Sequence, residues 1–216
     1  MIDLKNTIYN KDCIEIMRQI REKSIDLIVT DPPYLMNYKT GHRKDKNHKF
    51  CSTILNDDNF ELISSYIKLA YNILKDNTAM YMFCNVLHFD FFKNELENTG
   101  FTIKNMIIWV KNNWTAGDLK NAYGRQYEII FYVNKGKREI NGKRLSDVWF
   151  FDRVAGKNQR HPNEKPLKLI NRMIINSSNE GDIVFDGFCG GGVLVKVVLK
   201  IIGFTAYVKL INIITI

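Results

Sequence analysis

Ile25-Asp26-Leu27-Ile28-Val29-Thr30-Asp31-Pro32-Pro33-Tyr34 is the stretch on which the reading of this 216-residue chain turns. Its first half is a short apolar, β-branched run, the pattern of a buried strand. Its second half ends that strand. Pro32 and Pro33 have no backbone N–H and each fixes its own φ, so neither strand nor helix continues through them. In an open α/β sheet, ligands bind at the C-terminal ends of the strands. A carboxylate, two rigid prolines and an aromatic ring at such a point make a pre-shaped site. The chemistry suits an amino group on a flat ring, a poor nucleophile because its lone pair is delocalised into the ring. The Asp31 carboxylate accepts one N–H of such a group and a carbonyl of Pro32 or Pro33 accepts another. Two acceptors orient the nitrogen and favour localisation of its lone pair. Tyr34 offers a face on which a planar base stacks.

Before this stretch, residues 7–12 read as a short strand and residues 13–22 as a helix, with Ile14, Ile16, Met17 and Ile20 on a mostly one-sided apolar face and Asp12 as its N-cap. After it, residues 35–58 show no period and are expected to form a mobile loop. That loop holds the densest basic run of the chain, with Lys39, Arg43, Lys44, Lys46 and Lys49. Next to the proposed site, such a run suits phosphate contact; His42 and His48 lack the companions of metal ligands. Residues 60–74 read as an amphipathic helix capped by Asn56, Asp57 or Asp58. A strand over 78–83 and a helix over 87–98, stopped near Gly100, follow. Strands over 101–110 and 127–132 are separated by a loop and no helix, which predicts an antiparallel pair at the sheet edge. Trp114 and Tyr123 lie in that loop with Lys111, Lys120 and Arg125, a mixture of aromatic and basic residues that suits base and phosphate contact or a loop packed on the domain. Trp109, Ile130 and Phe131 read as strand core. Residues 135–159 are polar and basic, interrupted by Val148-Trp149-Phe150-Phe151 as a short strand or anchoring patch. A helix over 167–175 is begun by Pro166 at its first position.

Strands alternating with helices indicate a doubly wound sheet in one α/β domain spanning 1–216. The net charge of +8 favours a polyanionic partner. Cys13, Cys51, Cys84 and Cys189 show no Cys-x-x-Cys spacing, so no zinc site or disulfide framework is indicated, and free thiols fit a reducing cytoplasm. The start lacks an apolar signal core, and no run is long enough to span a bilayer.

The second chemical element comes late. Gly181-Asp182-Ile183-Val184-Phe185-Asp186-Gly187-Phe188-Cys189-Gly190-Gly191-Gly192 is a strand, an acid and a glycine-rich turn into a helix. Glycines let backbone approach a ligand closely, and a helix N-terminus offers free N–H groups to an anion. A dinucleotide site is the rival on these residues alone.

Asp31-Pro32-Pro33-Tyr34 after a hydrophobic strand resembles the catalytic motif of the DNA amino-methyltransferases, and Asp in first place resembles their adenine-N6 branch. Arg160-His161-Pro162-Asn163-Glu164-Lys165-Pro166 is similar to the family's His-Pro-x-x-Lys-Pro element. Asp186-Gly187-Phe188-Cys189-Gly190-Gly191-Gly192 looks like its Asp-Pro-Phe-x-Gly-Ser-Gly loop, with Gly187 in place of Pro and Gly191 in place of Ser. The catalytic motif precedes the cofactor loop, the circularly permuted order of the β class. The resemblance covers about residues 7–203. It implies a doubly wound, mostly parallel seven-stranded sheet of the Rossmann-like S-adenosylmethionine-dependent methyltransferase fold, and methyl transfer from that cofactor to adenine N6 in DNA after base flipping. It also implies roles. Asp31, Pro32, Pro33 and Tyr34 are catalytic. Asp12, Cys13, Asp31, His161, Lys165, Asp186, Phe188, Cys189, Gly190 and Gly192 hold the cofactor, His161 and Lys165 near its carboxylate end. Lys39, Arg43, Lys44, Lys46, Lys49, Trp114 and Arg125 meet DNA. Residues 135–160 stand where the family has its target-recognition region, here minimal. Expected partners are DNA, a second copy in a homodimer and a restriction endonuclease, with no membrane and no metal. For Asp12, capping and cofactor contact remain compatible readings.

The chain departs from the family after Gly203. The acid that holds the cofactor ribose is missing, Lys209 sits about where it belongs, and an Ile-rich tail replaces the closing helix. A truncated or frame-shifted coding end is one reading; a divergent but working site is the other. Cytosine-N4 methylation and a DNA-binding protein that no longer catalyses are the alternatives to the main reading.

Overall fold

The computed structural model describes residues 7–36, 57–114, 120–154, 164–188 and 209–214, the last by backbone alone. In chain order the elements are β1 (Thr7–Asn10), α1 (Cys13–Met17), β2 (Ile25–Thr30), α2 (Phe60–Ile73), β3 (Leu74–Cys84), α3 (Phe89–Thr99), β4 (Thr102–Val110), β5 (Tyr127–Lys135), β6 (Val148–Phe150), α4 (Leu167–Ser177), β7 (Ile183–Asp186) and β8 (Lys209–Ile214). The strands form one sheet in the order β1-β8-β7-β2-β3-β5-β4-β6. Neighbours run parallel except around β5, which is antiparallel to both β3 and β4. The sheet therefore has eight strands among the described residues, where seven were expected. The additional one is β6, the Val148-Trp149-Phe150 patch, which pairs with β4 and takes the edge that the antiparallel pair was expected to occupy.

Each face of the sheet carries its own core. Ile25, Ile28, Met80, Met82 and Phe131 pack under α1, α2 and α3. Leu27, Val29, Tyr81, Phe83, Trp109 and Ile130 pack under α4. Covering on both faces explains why β2 reads as a continuous apolar run rather than an alternating one. In α2, Ile63, Tyr66, Ile67, Ala70 and Ile73 are buried at helical spacing.

Several boundaries differ from the sequence reading for local reasons. α2 is capped by Asn59, whose side chain accepts the Leu62 N–H at 2.9 Å, not by Asn56, Asp57 or Asp58. α1 ends at Met17, five residues before the expected end. Beyond it the bonds tighten to Gln19 N–H on Ile16 and Ile20 N–H on Met17, although Ile20 stays buried. Pro166 is the N-cap of α4 rather than its first residue, and its carbonyl accepts from Leu169 and Ile170. Gly100 closes α3 at φ 107°, a conformation that favours glycine. Lys135 does not belong to the exposed basic segment. It is 6% exposed and donates to the Tyr71 and Leu74 carbonyls at 2.6 and 2.8 Å, capping the end of α2.

Both ends of the expected mobile loop are anchored. Leu35 (φ 60°) is turned into the core and Asp57 is buried. The rest of it, 37–56, lies outside the described residues.

Candidate active site

β2 and β7 are adjacent parallel strands, with Leu27 opposite Val184 and Ile28 opposite Phe185. Asp31 follows β2 and Asp186 ends β7, so the two acids emerge at the same edge of the sheet although 155 positions separate them. Between them, the Tyr66 hydroxyl from α2 donates to Thr30 Oγ1 at 3.0 Å, and its ring lies 4.8 Å from that of Phe188. The Tyr66 ring accounts for the glycine at 187. A Cβ there would stand 2.3 Å from Tyr66 Cε2, a clash no side chain tolerates. The Asp186 carboxylate accepts the Phe188 N–H at 3.0 Å. Its pKa is pushed up to about 7, mainly by burial; the Phe188 N–H opposes this, Asp31 adds to it and the Thr30 hydroxyl opposes it.

Asp31 sits in a second knot of charges. Its Oδ1 accepts from the Tyr34 hydroxyl at 2.6 Å and its Oδ2 from Lys165 Nζ at 2.8 Å. Lys165 also reaches Glu128 Oε2 at 3.2 Å and the Tyr34 oxygen at 3.0 Å. Glu128 Oε2 lies 2.9 Å from the Tyr34 hydroxyl, and its Oε1 pairs with Lys111 at 2.6 Å. Burial resists ionisation of Glu128, but the ammonium groups of Lys165 and Lys111 prevail and hold its carboxyl down to about 2. Burial raises the Asp31 carboxyl against the pull of Lys165. Burial and both carboxylates push the Tyr34 phenol well above its ordinary range, so it keeps its proton. The Lys165 ammonium lies over the Phe83 ring at 4.8 Å.

Of the residues expected at the site, Asp31, Pro32, Pro33, Tyr34, Lys165, Asp186 and Phe188 are placed along this edge. Lys165 bonds Asp31. Asp12 caps α1, accepting from Ile14 and Glu15 at 2.9 and 3.1 Å. Cys13 is fully buried in the core. His161, Cys189, Gly190 and Gly192 lie outside the described residues, as do Lys39, Arg43, Lys44, Lys46 and Lys49. Trp114 is exposed and lies against Gly124, while Arg125 donates to Asn85 Oδ1 at 3.2 Å, at the end of β3. Trp109, Ile130 and Phe131 are buried strand residues. Two members of the knot, Glu128 and Lys111, were not among the residues expected at the site; Lys111 was read with the aromatic and basic loop. Only the antiparallel pairing of β4 and β5, with Trp109 opposite Glu128, carries them to Asp31.

The register of β8 corrects the placing of Lys209. It lies opposite Ile183 at the start of β7, whereas Asn212 lies opposite Asp186. Three residues of strand, about 10 Å, separate Lys209 from the edge where the cofactor acid belongs.

Residues 25–203 match the model of the DNA methylase family. The chain belongs to that family. Among relatives of this DNA methylase, Type II methyltransferase M.HpaI of Haemophilus parainfluenzae is 30% identical, over 85% of this chain and 63% of its own length. M2.MboI of Moraxella bovis is 27% identical, over 88% and 78%. The DNA adenine methyltransferase YhdJ of Escherichia coli strain K12 is 27% identical, over 94% and 80%. The chain thus spans under two thirds of M.HpaI and about four fifths of the other two. Among solved structures, the M1.HpyAVI-SAM complex superposes with a TM-score of 0.70 at 23% identity, covering 97% of this chain and 93% of that one. The cytosine-N4-specific PvuII DNA methyltransferase gives 0.75 at 15%, covering 97% and 82%. The fold is therefore the Rossmann-like methyltransferase fold, with the mostly parallel sheet that the sequence predicted.

Proposed function

We propose that this DNA methylase transfers a methyl group from S-adenosylmethionine to N6 of adenine in DNA at a specific sequence. The observation that carries the reading is the pairing of β2 with β7. It brings Asp31-Pro32-Pro33-Tyr34 beside the acid and first residues of the glycine-rich turn, in one edge of one sheet. The relatives' names support the reaction class, and YhdJ's supports adenine.

The residues fit a positively charged cofactor. Asp186 is 8% exposed with its carboxyl at about 7, and a cation beside it would favour the ionised form. Asp186 and Phe188 would hold the cofactor at the end of β7, with Asp12 beyond β1. When bound, S-adenosylmethionine supplies a methyl carbon made electrophilic by the positive sulfur, which keeps the electron pair of the bond that breaks. The chain's own residues do the rest. The adenine amino group is paired inside the duplex, so the base must leave the stack. Asp31 and a proline carbonyl accept its two N–H groups and orient the nitrogen lone pair; orientation of this kind supplies much of the catalysis. Asp31 then stands in reach of the proton that nitrogen releases, and its raised pKa suits it to take that proton. The Tyr34 ring stacks on the base.

Trp114 and Arg125, with Lys39, Arg43, Lys44, Lys46 and Lys49, meet the DNA. The loop over 35–58 contacts phosphates, residues 135–160 supply target recognition, and the work is done in the cytoplasm. The Type II names of the relatives favour a restriction endonuclease as partner, and a homodimer is the assembly to test first. Labelled cofactor and mixed-sequence DNA, followed by mass analysis of nucleosides, decide the reaction: N6-methyladenine is expected, and N4-methylcytosine or no transfer refutes it. Asp31→Ala should abolish transfer while cofactor binding by calorimetry persists, because Glu128 still holds Lys165. Retained turnover would remove Asp31 from the mechanism.

A further inference from the structure

Asp31 as it stands has both carboxylate oxygens engaged, Oδ1 by the Tyr34 hydroxyl and Oδ2 by Lys165. Each oxygen keeps a second lone pair, but the adenine amino group must then share an already engaged acceptor, and it binds best if one of the two partners yields. The two partners differ in how they can yield. Lys165 has three N–H donors, and all three have acceptors, on Asp31, Glu128 and Tyr34. It is fixed as a tripod and has no alternative partner among the described residues. Tyr34 has a single proton and two carboxylates within reach, Asp31 Oδ1 at 2.6 Å and Glu128 Oε2 at 2.9 Å. Rotation of one hydroxyl moves that proton from one to the other.

We propose that Glu128 is a positioning residue that accepts the Tyr34 hydroxyl hydrogen bond when the substrate amino group arrives, freeing Asp31 Oδ1 to accept the amino N–H. This rests on the methyl-transfer reading above. Glu128 is built for the task. Its side chain is 18% exposed, and Lys111 holds its other oxygen at 2.6 Å, fixing the carboxylate toward Tyr34. The paired ammonium groups keep it an acceptor throughout the working pH range. Without it, the hydroxyl would either keep Asp31 Oδ1 or be left buried and unsatisfied, a loss of about tenfold or more in rate. Tyr34 then has a second duty besides stacking: its proton marks which of two acids is open.

The test is a double-mutant cycle read in single-turnover methyl transfer. Glu128→Leu, which removes the acceptor, should lower the transfer rate about tenfold with little change in cofactor affinity by calorimetry. Tyr34→Phe keeps the ring and removes the hydroxyl, so nothing needs to be taken from Asp31. In that background Glu128→Leu should cost no more than about twofold. Equal losses in both backgrounds would overturn the proposal, because a merely structural role for Glu128 does not depend on the Tyr34 hydroxyl. Thermal melts accompany each variant. If Glu128→Leu melts below the assay temperature, Glu128→Leu with Lys111→Met, which also removes the stranded ammonium, carries the same comparison. Absence of transfer by the unaltered protein would instead refute the methyl-transfer reading itself, so the two failures are told apart.

Discussion

Replacing Lys165 with methionine takes one charge from among three acceptors. The side chain is 7% exposed, 2.8 Å from Asp31 Oδ2 and 3.2 Å from Glu128 Oε2. Methionine keeps most of the apolar stem, so packing against Phe83 survives and the loss is electrostatic. Removing one partner of a buried ion pair costs about 3–5 kcal/mol, because the other is left uncompensated. Glu128 supplies a second measure. Its carboxyl is held at about 2 against an ordinary 4.5. At about 1.4 kcal/mol per pH unit this corresponds to roughly 3 kcal/mol, divided between Lys165 and Lys111. The folded pKa lies below the unfolded one, so the contribution is complete above about pH 4.5 and is lost as pH falls from there toward 2. Lys165→Met should therefore melt about 6–20 °C below the unaltered protein near neutral pH, at about 2–4 °C per kcal/mol for a chain of this size. The gap should narrow as pH falls below about 4.5, where Glu128 takes up a proton in the unfolded chain and in the variant. Thermal unfolding by circular dichroism at neutral pH and near pH 4 measures both effects. A gap under about 2 °C near neutrality, or one that widens on acidification, would show that the knot contributes no net electrostatic stability.

Asp186→Asn tests the other acid with the opposite sign. The folded pKa of about 7 lies above the ordinary 3.8, so ionisation of Asp186 opposes folding as pH rises through that window. The asparagine should raise stability by up to roughly 4 kcal/mol near pH 8 and by little near pH 4, while weakening cofactor binding; equal melts at both pH values would refute the burial argument. Gly187→Ala should cost about 1–3 kcal/mol in urea unfolding, because its Cβ meets the fully buried Tyr66 ring. The cost should shrink in a Tyr66→Leu background, and an unchanged cost would mean that the ring is not the obstacle.

The apolar run before Asp31 and the proline stop were legible because strand and stop are local properties. So were the Gly100 helix end and the burial of Trp109. The helix at α1 was overextended because Ile20 keeps the apolar spacing while the backbone has already tightened. Glu128 was not singled out, and Lys111 was read only as part of a basic loop, for a different reason. Their local sequence is that of a strand and its end, and their chemistry arises only when β5 turns antiparallel and lies beside β3. Lys165 was legible as part of a motif but not as the partner of Asp31, since nothing in sequence distance ties position 165 to position 31. Lys209 was misplaced because position along a strand leaves its register open, and only the pairing with β7 fixes it.

Charge balance at the sheet edge bears on which cofactor the late glycines serve. Asp31 and Glu128 are matched by Lys165 and Lys111, two carboxylates by two ammonium groups, so that knot needs no further counter-charge. Asp186 has no matching cation among the described residues: what sets its ionisation there is burial, one N–H, the Thr30 hydroxyl and the unfavourable presence of Asp31. A glycine-rich turn after a strand suits a dinucleotide as well as S-adenosylmethionine when only the turn is considered. The two differ in sign where they meet this edge. A pyrophosphate would bring negative charge toward two carboxyl groups and drive Asp186 further from ionisation. A sulfonium and an ammonium group would bring the missing positive charge and release its proton. Cofactor binding should therefore liberate protons near neutral pH, read as a dependence of the binding enthalpy on the ionisation enthalpy of the buffer. Proton uptake on binding would favour the anionic ligand and remove the electrostatic argument for S-adenosylmethionine.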